Sequence, residues 1–165
     1  MFYNIIERNV HDMKKGFAKI LVAVDGSQPS INAAERAISL AKKYGARLTG
    51  VFVVPSNIGY GYLDQDTLSE WPAEIRRVVS NIITKGEEYL DGIKKRAIDN
   101  AIQFDSKVIL GGSSVVRAII EYAEKNDIEL IVMGTIGISG FKRLLLGSTA
   151  SGVVTYSHCP VLLVK

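Results

Sequence analysis

Short runs of β-branched and aliphatic residues alternate along this chain with segments whose apolar residues recur at helical spacing. This alternation is typical of strand–helix–strand units, in which helices join parallel strands. The strands are apolar on both faces, which indicates a parallel sheet covered by helices on both sides with right-handed crossovers. The sequence therefore predicts a doubly wound α/β fold. Its strands are predicted at residues 19–25, Arg47–Val54, residues 107–110, Leu130–Gly134 and Val161–Val164.

Turn and capping residues indicate where the connecting helices begin. Pro29 suits the first turn of the helix after the first strand, because a proline there loses no intrahelical hydrogen bond. Pro72 opens a long amphipathic helix, the serines Ser113 and Ser114 cap the next one, and the last helix starts near Ser148.

Two segments lie outside this alternation. Residues 1–18 form an N-terminal extension before the domain at 19–165, and either an amphipathic helix or a frayed terminus fits them. Residues 55–71 are rich in glycine, tyrosine and acid, and we interpret them as a variable loop or lid.

Length and composition exclude several classes of protein. A chain of 165 residues with 47% hydrophobic residues fits one globular domain, and a net charge of +3 is too weak to suggest a nucleic-acid partner. No run of residues is long and apolar enough for a signal peptide or a membrane span. The single cysteine, Cys159, cannot form an internal disulfide, so we expect a reducing compartment, the cytoplasm.

Two strand ends carry the residues of chemical interest. In open α/β sheets, ligands bind outside the carboxyl ends of the strands where the strand order reverses. The first strand ends at Asp25, and the fourth ends at Gly134, which opens a glycine-bearing loop. That loop ends in Gly147, Ser148 and Thr149 at a helix N-terminus, where N–H groups and the helix dipole favour an anion. This loop is a candidate phosphate site, although glycines also serve turns.

Other side chains have two interpretations each. Asp25 either contacts a ligand or only caps the following helix, and Lys142 and Arg143 either neutralise phosphates or are solvated loop cations. Ser148 is a ligand or cap residue, or else a phosphoryl acceptor.

Residues of the variable loop, and the pair His158 and Cys159, are also candidate binding or catalytic residues. The aromatic residues Tyr60, Tyr62 and Trp71 either stack on a base or pack over the sheet, and Asp64 and Asp66 are cation ligands or solvated acids. His158 and Cys159 are adjacent in sequence, which places them on opposite faces of a strand and disfavours paired catalysis. We therefore predict no catalytic residue and no dedicated metal ligand.

The glycine spacing is neither a Walker A loop nor a Rossmann fingerprint. It consists of Gly134, two residues, Gly137, nine residues, and Gly147 followed by Ser148. With a first strand that ends in Asp25-Gly-Ser and a final Pro-Val-Leu-Leu-Val strand, the chain resembles the ATP-binding branch of the universal stress protein family over residues 19–165.

The resemblance implies a five-stranded parallel sheet in the order 3-2-1-4-5, an adenine nucleotide alpha hydrolase-like fold. It places Asp25 beside the ribose and the Val53 backbone against the adenine edge, with Gly137 and Gly147 among the phosphate-binding residues. The full predicted nucleotide-binding set is Ala23, Val24, Asp25, Val53, Met133, Gly134, Gly137, Gly147, Ser148 and Thr149. The implied ligand is ATP, AMP or ADP, and Mg²⁺ is a candidate companion ion. One position departs from the family, because many relatives have a polar residue, often His, where this chain has Ile136.

The predicted function is that of a cytoplasmic nucleotide-binding dimer that acts as a stress-response switch, with at most slow ATP hydrolysis or autophosphorylation. The resemblance implies a homodimer through Val161–Val164, and an apolar edge strand suits such pairing. One alternative is a dimer that binds no nucleotide, as in the branch of the family that lacks the glycine motif; the full glycine spacing of this chain argues against it, although Ile136 leaves it open. Another is an ATP-pyrophosphatase-type enzyme, but Asp25-Gly26-Ser27 lacks the Ser-Gly-Gly loop of that class.

Overall fold

The computed structural model describes residues 16–55, 68–110, 114–137 and 146–165. Five parallel strands form one sheet in the order β3-β2-β1-β4-β5, which confirms the predicted fold class and strand order. The strands are β1 Lys19–Val24, β2 Arg47–Val54, β3 Phe104–Leu110, β4 Leu130–Gly134 and β5 Val161–Val164. The helices are α1 Gln28–Tyr44, α2 Ala73–Asp99, α3 Val115–Lys125 and α4 Ser148–Tyr156, with a 3-10 turn at Leu68–Glu70.

Alternate residues of the central strand β1 supply two separate cores. Ile20, Val22 and Val24 belong to the core under α1 and α2, whereas Leu21 and Ala23 belong to the core under α3 and α4. All five are at most 9% exposed, because both faces of the sheet are covered. The strand order therefore reverses between β1 and β4 in the middle of a two-sided core, and open α/β sheets bind their ligands at the carboxyl edge of such a reversal.

The helix ends match the capping residues in the sequence. Ser27 caps α1 by accepting a hydrogen bond from the Ser30 amide, and Gly45 ends the helix in the left-handed conformation at φ 66°. Ser114 caps α3 in the same way by accepting from the amide of Arg117. The long helix follows directly after Pro72, as predicted.

The predicted start of the third strand is wrong. β3 begins at Phe104 rather than Lys107, because its first residues pair with β2 although Asp105 and Ser106 are exposed. Strand β3 lies at the edge of the sheet, where an outward polar residue costs little, so its first half lacks the apolar signature of a buried strand.

Several predictions fall on residues that the structure does not describe. Those for the N-terminal helix, for Ser113 and for most of the variable loop lie outside the described residues. Trp71, at the end of that loop, packs against the core under α1 and α2, as expected for an aromatic residue that buries area over the sheet. Among the described residues, no helix has the length and apolar character needed to cross a membrane.

Candidate functional site

The loop after β1 is folded around the carboxylate of Asp25. Asp25 Oδ1 accepts hydrogen bonds from the Ser27 amide at 3.0 Å and from the Ser27 hydroxyl at 2.6 Å. Ser27, rather than Asp25, caps α1, and Asp25 in turn fixes Ser27. The Asp-x-Ser spacing produces this arrangement, since an Asp side chain readily bonds to the backbone two residues ahead.

Gly26, between these two residues, has a backbone conformation that favours glycine. Its φ is +85°, in the left-handed region. A Cβ at this position would also meet the ring of Tyr89, a residue of α2 whose hydroxyl oxygen would lie 2.6 Å from it. Tyr89 therefore borders the loop on the α2 side of the sheet, where its ring also faces Phe52.

The end of β4 packs directly against the first turn of α1. A Cβ on Gly134 would lie 2.9 Å from the carbonyl carbon of Pro29 and 2.9 Å from the amide nitrogen of Ser30. The absent side chain of Gly134 thus makes room for α1 rather than for a ligand. This close contact brings the β1–α1 loop beside the loop that follows β4.

The two loops meet at Asp25 and Gly137. A Cβ on Gly137 would lie 2.6 Å from Asp25 Oδ2, so the carboxylate and this glycine occupy adjacent space. The hydroxyl of Ser27 also lies 3.4 Å from the carbonyl oxygen of Ile136. The resemblance implies that Asp25 and Gly134 flank one crevice, and the structure brings the loops at these two strand ends into contact.

The start of α4 closes the glycine loop. The Gly147 amide donates a hydrogen bond to the Thr135 carbonyl at 2.7 Å, and a Cβ on Gly147 would lie 3.3 Å from that oxygen. Gly147 is the N-cap of α4 and has no capping side chain, so helix geometry leaves the first amides of α4, including those of Ser148 and Thr149, without intrahelical acceptors. These amides and the positive end of the helix dipole lie next to the loop that contacts Asp25.

The remaining predicted residues lie on two sides of the sheet. Ala23 and Met133 pair in the β1–β4 register and belong to the core under α3 and α4, against which Val53 also packs. Val24 belongs to the opposite core and is 6% exposed, so only its backbone can face a ligand at this edge.

Other chemistry-bearing residues are elsewhere or are not described. His158 Nε2 lies 3.1 Å from the carbonyl of Ile128, which precedes β4 and therefore lies at the opposite end of the sheet. Burial raises the pKa of the Cys159 thiol, and the Ser157 hydroxyl lowers it in part. The cations Lys142 and Arg143 and the loop residues Tyr60, Tyr62, Asp64 and Asp66 lie outside the described residues. In the ranges that the structure does describe, no group of three or more His, Cys, Asp or Glu is placed to hold a metal.

Two serines in the site were not predicted as functional residues. Ser27 enters the sequence analysis only as part of Asp25-Gly26-Ser27, and Ser30 does not enter it. The Asp-x-Ser spacing signals the role of Ser27. Ser30 carries no comparable signal, because a serine near a helix start is common on the surface, whereas this one is 3% exposed.

Comparison with known proteins gives consistent matches along the chain. The sequence model of the universal stress protein family matches residues 16–165. A universal stress protein of Methanocaldococcus jannaschii is 34% identical over 165 residues, which cover 99% of this chain and 91% of that protein. The structure of UspA from Lactobacillus plantarum has a TM-score of 0.78 and 23% identity, and the match covers 91% of this chain and 99% of that one.

Two further solved structures share the fold and contain nucleotides. One is a universal stress protein in complex with cAMP, with a TM-score of 0.61, 24% identity and coverage of 91% of this chain and 98% of that one. The other is the universal stress protein from Archaeoglobus fulgidus in complex with dAMP, with a TM-score of 0.63, 20% identity and coverage of 89% and 97%.

Proposed function

This chain belongs to the universal stress protein family, and we propose that it binds an adenine nucleotide in the crevice between the ends of β1 and β4. The observation that carries the proposal is the contact of Asp25 Oδ2 with the space beside Gly137, at the point where the strand order reverses. The complexes of two relatives of the same fold with cAMP and dAMP support an adenine nucleotide as the ligand.

The carboxylate of Asp25 has the chemistry to bind the ribose. Its Oδ1 accepts two hydrogen bonds from Ser27, which orient the group, and Oδ2 is turned toward Gly137. Carboxylate oxygens accept more than one hydrogen bond each, so ribose hydroxyls can donate to an already oriented group. In this proposal the Val53 backbone contacts the adenine edge, and the backbones of Ala23, Val24, Met133 and Gly134 line the nucleotide.

The phosphates are proposed to lie at the N-terminus of α4. Gly137 and Gly147 allow the backbone to approach them, and the amides and hydroxyls of Ser148 and Thr149 donate hydrogen bonds. This geometry suits ATP, AMP or ADP, and Mg²⁺ would be bound through the phosphates. We assign Ser148 to binding, with at most slow hydrolysis or autophosphorylation, because its amide is one of the first amides of α4, which have no intrahelical acceptor.

The output of binding is proposed to be a change of state in a homodimer. β5 is an edge strand hydrogen-bonded to β4, and its Leu162 is 37% exposed. Val154 and Tyr156 at the end of α4 are also exposed, at 48% and 71%. An apolar edge beside exposed apolar side chains suits pairing with a second copy in the cytoplasm.

Mass spectrometry of small molecules released from the freshly purified protein tests the nucleotide proposal, followed by calorimetric titration with ATP and AMP in the presence of Mg²⁺. We expect an adenine nucleotide in the released fraction, and binding that is lost in Asp25→Ala and Gly147→Val. Asp99→Ala is the matched control, because Asp99 is an exposed carboxylate at the end of α2.

A dimer that binds no nucleotide is the second candidate, and Ile136 favours it because a polar side chain is common at this position in the family. Absence of nucleotide after purification, together with no heat on titration of the folded protein, would support this candidate. Sedimentation would then still show the dimer.

A further inference from the structure

Ser30 is a buried hydroxyl whose hydrogen bonds both go to the loop that carries Asp25. It is 3% exposed. Its Oγ donates to the Ser27 carbonyl at 2.8 Å and accepts from the Asp25 amide at 3.4 Å. A single hydroxyl has one proton and two lone pairs, so it makes both contacts at once. The hydroxyl therefore links the first residue of the loop, Asp25, to Ser27 at its end.

Ser30 itself has little freedom to move. Its amide donates to the Ser27 hydroxyl at 3.4 Å. The end of β4 packs closely against it, since a Cβ on Gly134 would lie 2.9 Å from the Ser30 amide nitrogen. Ser30 is held between the start of α1 and the central strand β4. The β1–α1 loop, to which Ser30 is hydrogen-bonded, is therefore fixed in position relative to the sheet. Groups that are held in this way keep a binding side chain in place before the ligand arrives.

We propose that Ser30 is a positioning residue, which fixes the carboxylate of Asp25 for the ribose hydroxyls of a nucleotide. This inference rests on the proposed function, because it assigns Asp25 to the ribose. Loss of the Ser30 hydroxyl leaves the Asp25 amide and the Ser27 carbonyl without this partner, so the loop becomes looser and the carboxylate is held less firmly.

The same helix contains a matched control. Ser39 is a second serine of α1, and its hydroxyl donates to the Glu35 carbonyl at 2.9 Å on an exposed face. Ser30→Ala and Ser39→Ala therefore remove the same group from the same helix, and only the first removes contacts with the Asp25 loop.

The test compares ATP with 2′,3′-dideoxy-ATP, which lacks both ribose hydroxyls, by calorimetric titration. We expect Ser30→Ala to raise the Kd for ATP by about three- to tenfold, the effect of one ordinary hydrogen bond. The Kd for the dideoxy nucleotide should stay unchanged, and Ser39→Ala should change neither. An equal loss for both nucleotides would overturn the inference, since it would mean a general structural role.

Two further experiments distinguish a failure of the proposed function from a failure of the inference about Ser30. If the wild-type protein binds neither nucleotide, the proposed function fails, and hydrogen exchange of the Asp25 and Ser27 amides then decides the role of Ser30. We expect faster exchange in Ser30→Ala than in Ser39→Ala, and equal rates would overturn the inference.

If Ser30→Ala does not fold, Ser30→Cys replaces the hydroxyl with a weaker donor of similar size. We expect that variant also to weaken ATP alone, and an equal loss for both nucleotides would count against Ser30 as a positioning residue.

Discussion

Replacing Gly137 with alanine tests whether Asp25 forms part of the binding site. The added Cβ would lie 2.6 Å from Asp25 Oδ2, and an ordinary contact starts at 3.4 Å, so the oxygen must move by about 0.8 Å. The φ of Gly137 lies outside the left-handed region, so alanine introduces no backbone strain there. The substitution therefore acts on the carboxylate and not on the conformation of the loop.

The size of the effect follows from the hydrogen bonds that the carboxylate is proposed to make. Hydrogen bonds to a charged group contribute about 1.5–3 kcal/mol, and a displacement of this size removes most of that geometry. We therefore expect the Kd for ATP to rise about 10- to 100-fold in Gly137→Ala. The free energy of unfolding should fall by about 1–3 kcal/mol, because a carboxylate that moves away from the new methyl group weakens its hydrogen bonds from Ser27.

Titration calorimetry and urea denaturation measure the two quantities separately. Gly92→Ala is the matched control, because a Cβ on this exposed glycine of α2 would meet nothing within 4 Å. That variant should bind ATP like the wild type and gain about 0.5–1 kcal/mol of stability. A folded Gly137→Ala protein with wild-type affinity for ATP would refute the placement of Asp25 in the site.

Three further outcomes are expected. Gly26→Ala should lose about 1–2 kcal/mol of stability in urea denaturation, because its φ is +85° and the Tyr89 ring must move; unchanged stability would contradict this geometry. Leu162→Lys should convert the proposed dimer to a monomer in sedimentation, whereas Ile98→Lys on α2, also exposed, should not; a dimer that persists would exclude pairing through β5. Because burial raises the pKa of the Cys159 thiol, its thiolate fraction at pH 8 is smaller than in the unfolded chain. Alkylation should therefore be slower in the folded protein, and the free energy of unfolding should fall as the pH rises through that pKa.

The sequence predicts the central strands well because burial shapes their composition. The bounds of β2, β4 and β5 agree with the prediction, since each is an apolar run closed by a turn residue or by the chain end. The order of the strands came from the family resemblance, because a strand pattern alone does not specify its neighbours in a sheet. The first half of β3 was missed since Asp105 and Ser106 face outward at the edge and look like a loop.

The site was predictable where a residue ends a strand. Gly134 ends β4 as predicted, whereas β1 ends at Val24, one residue earlier than predicted, so that Asp25 is the first residue of the following loop. The proximity of these two residues follows from a parallel sheet with a reversal between β1 and β4. The sequence cannot show which neighbour a glycine accommodates. Gly134 makes room for the start of α1, whereas Gly137 makes room for a carboxylate, and both appear as the same letter. Ser30 was missed for a related reason, because its role depends on burial by β4.

The contact between the β1–α1 loop and the loop after β4 does not depend on the side chain at position 136, where this chain has isoleucine and many relatives have a polar residue. The contact of this residue with the β1–α1 loop uses its carbonyl oxygen, which lies 3.4 Å from the Ser27 hydroxyl. A backbone group is the same for any side chain, so isoleucine keeps the link between the two loops. The glycines on either side lack this tolerance, because a Cβ at Gly134 or Gly137 would meet another atom at 2.9 Å or 2.6 Å. The side chain at position 136 can therefore change while the contact between the two loops, and with it the position of Asp25, is preserved.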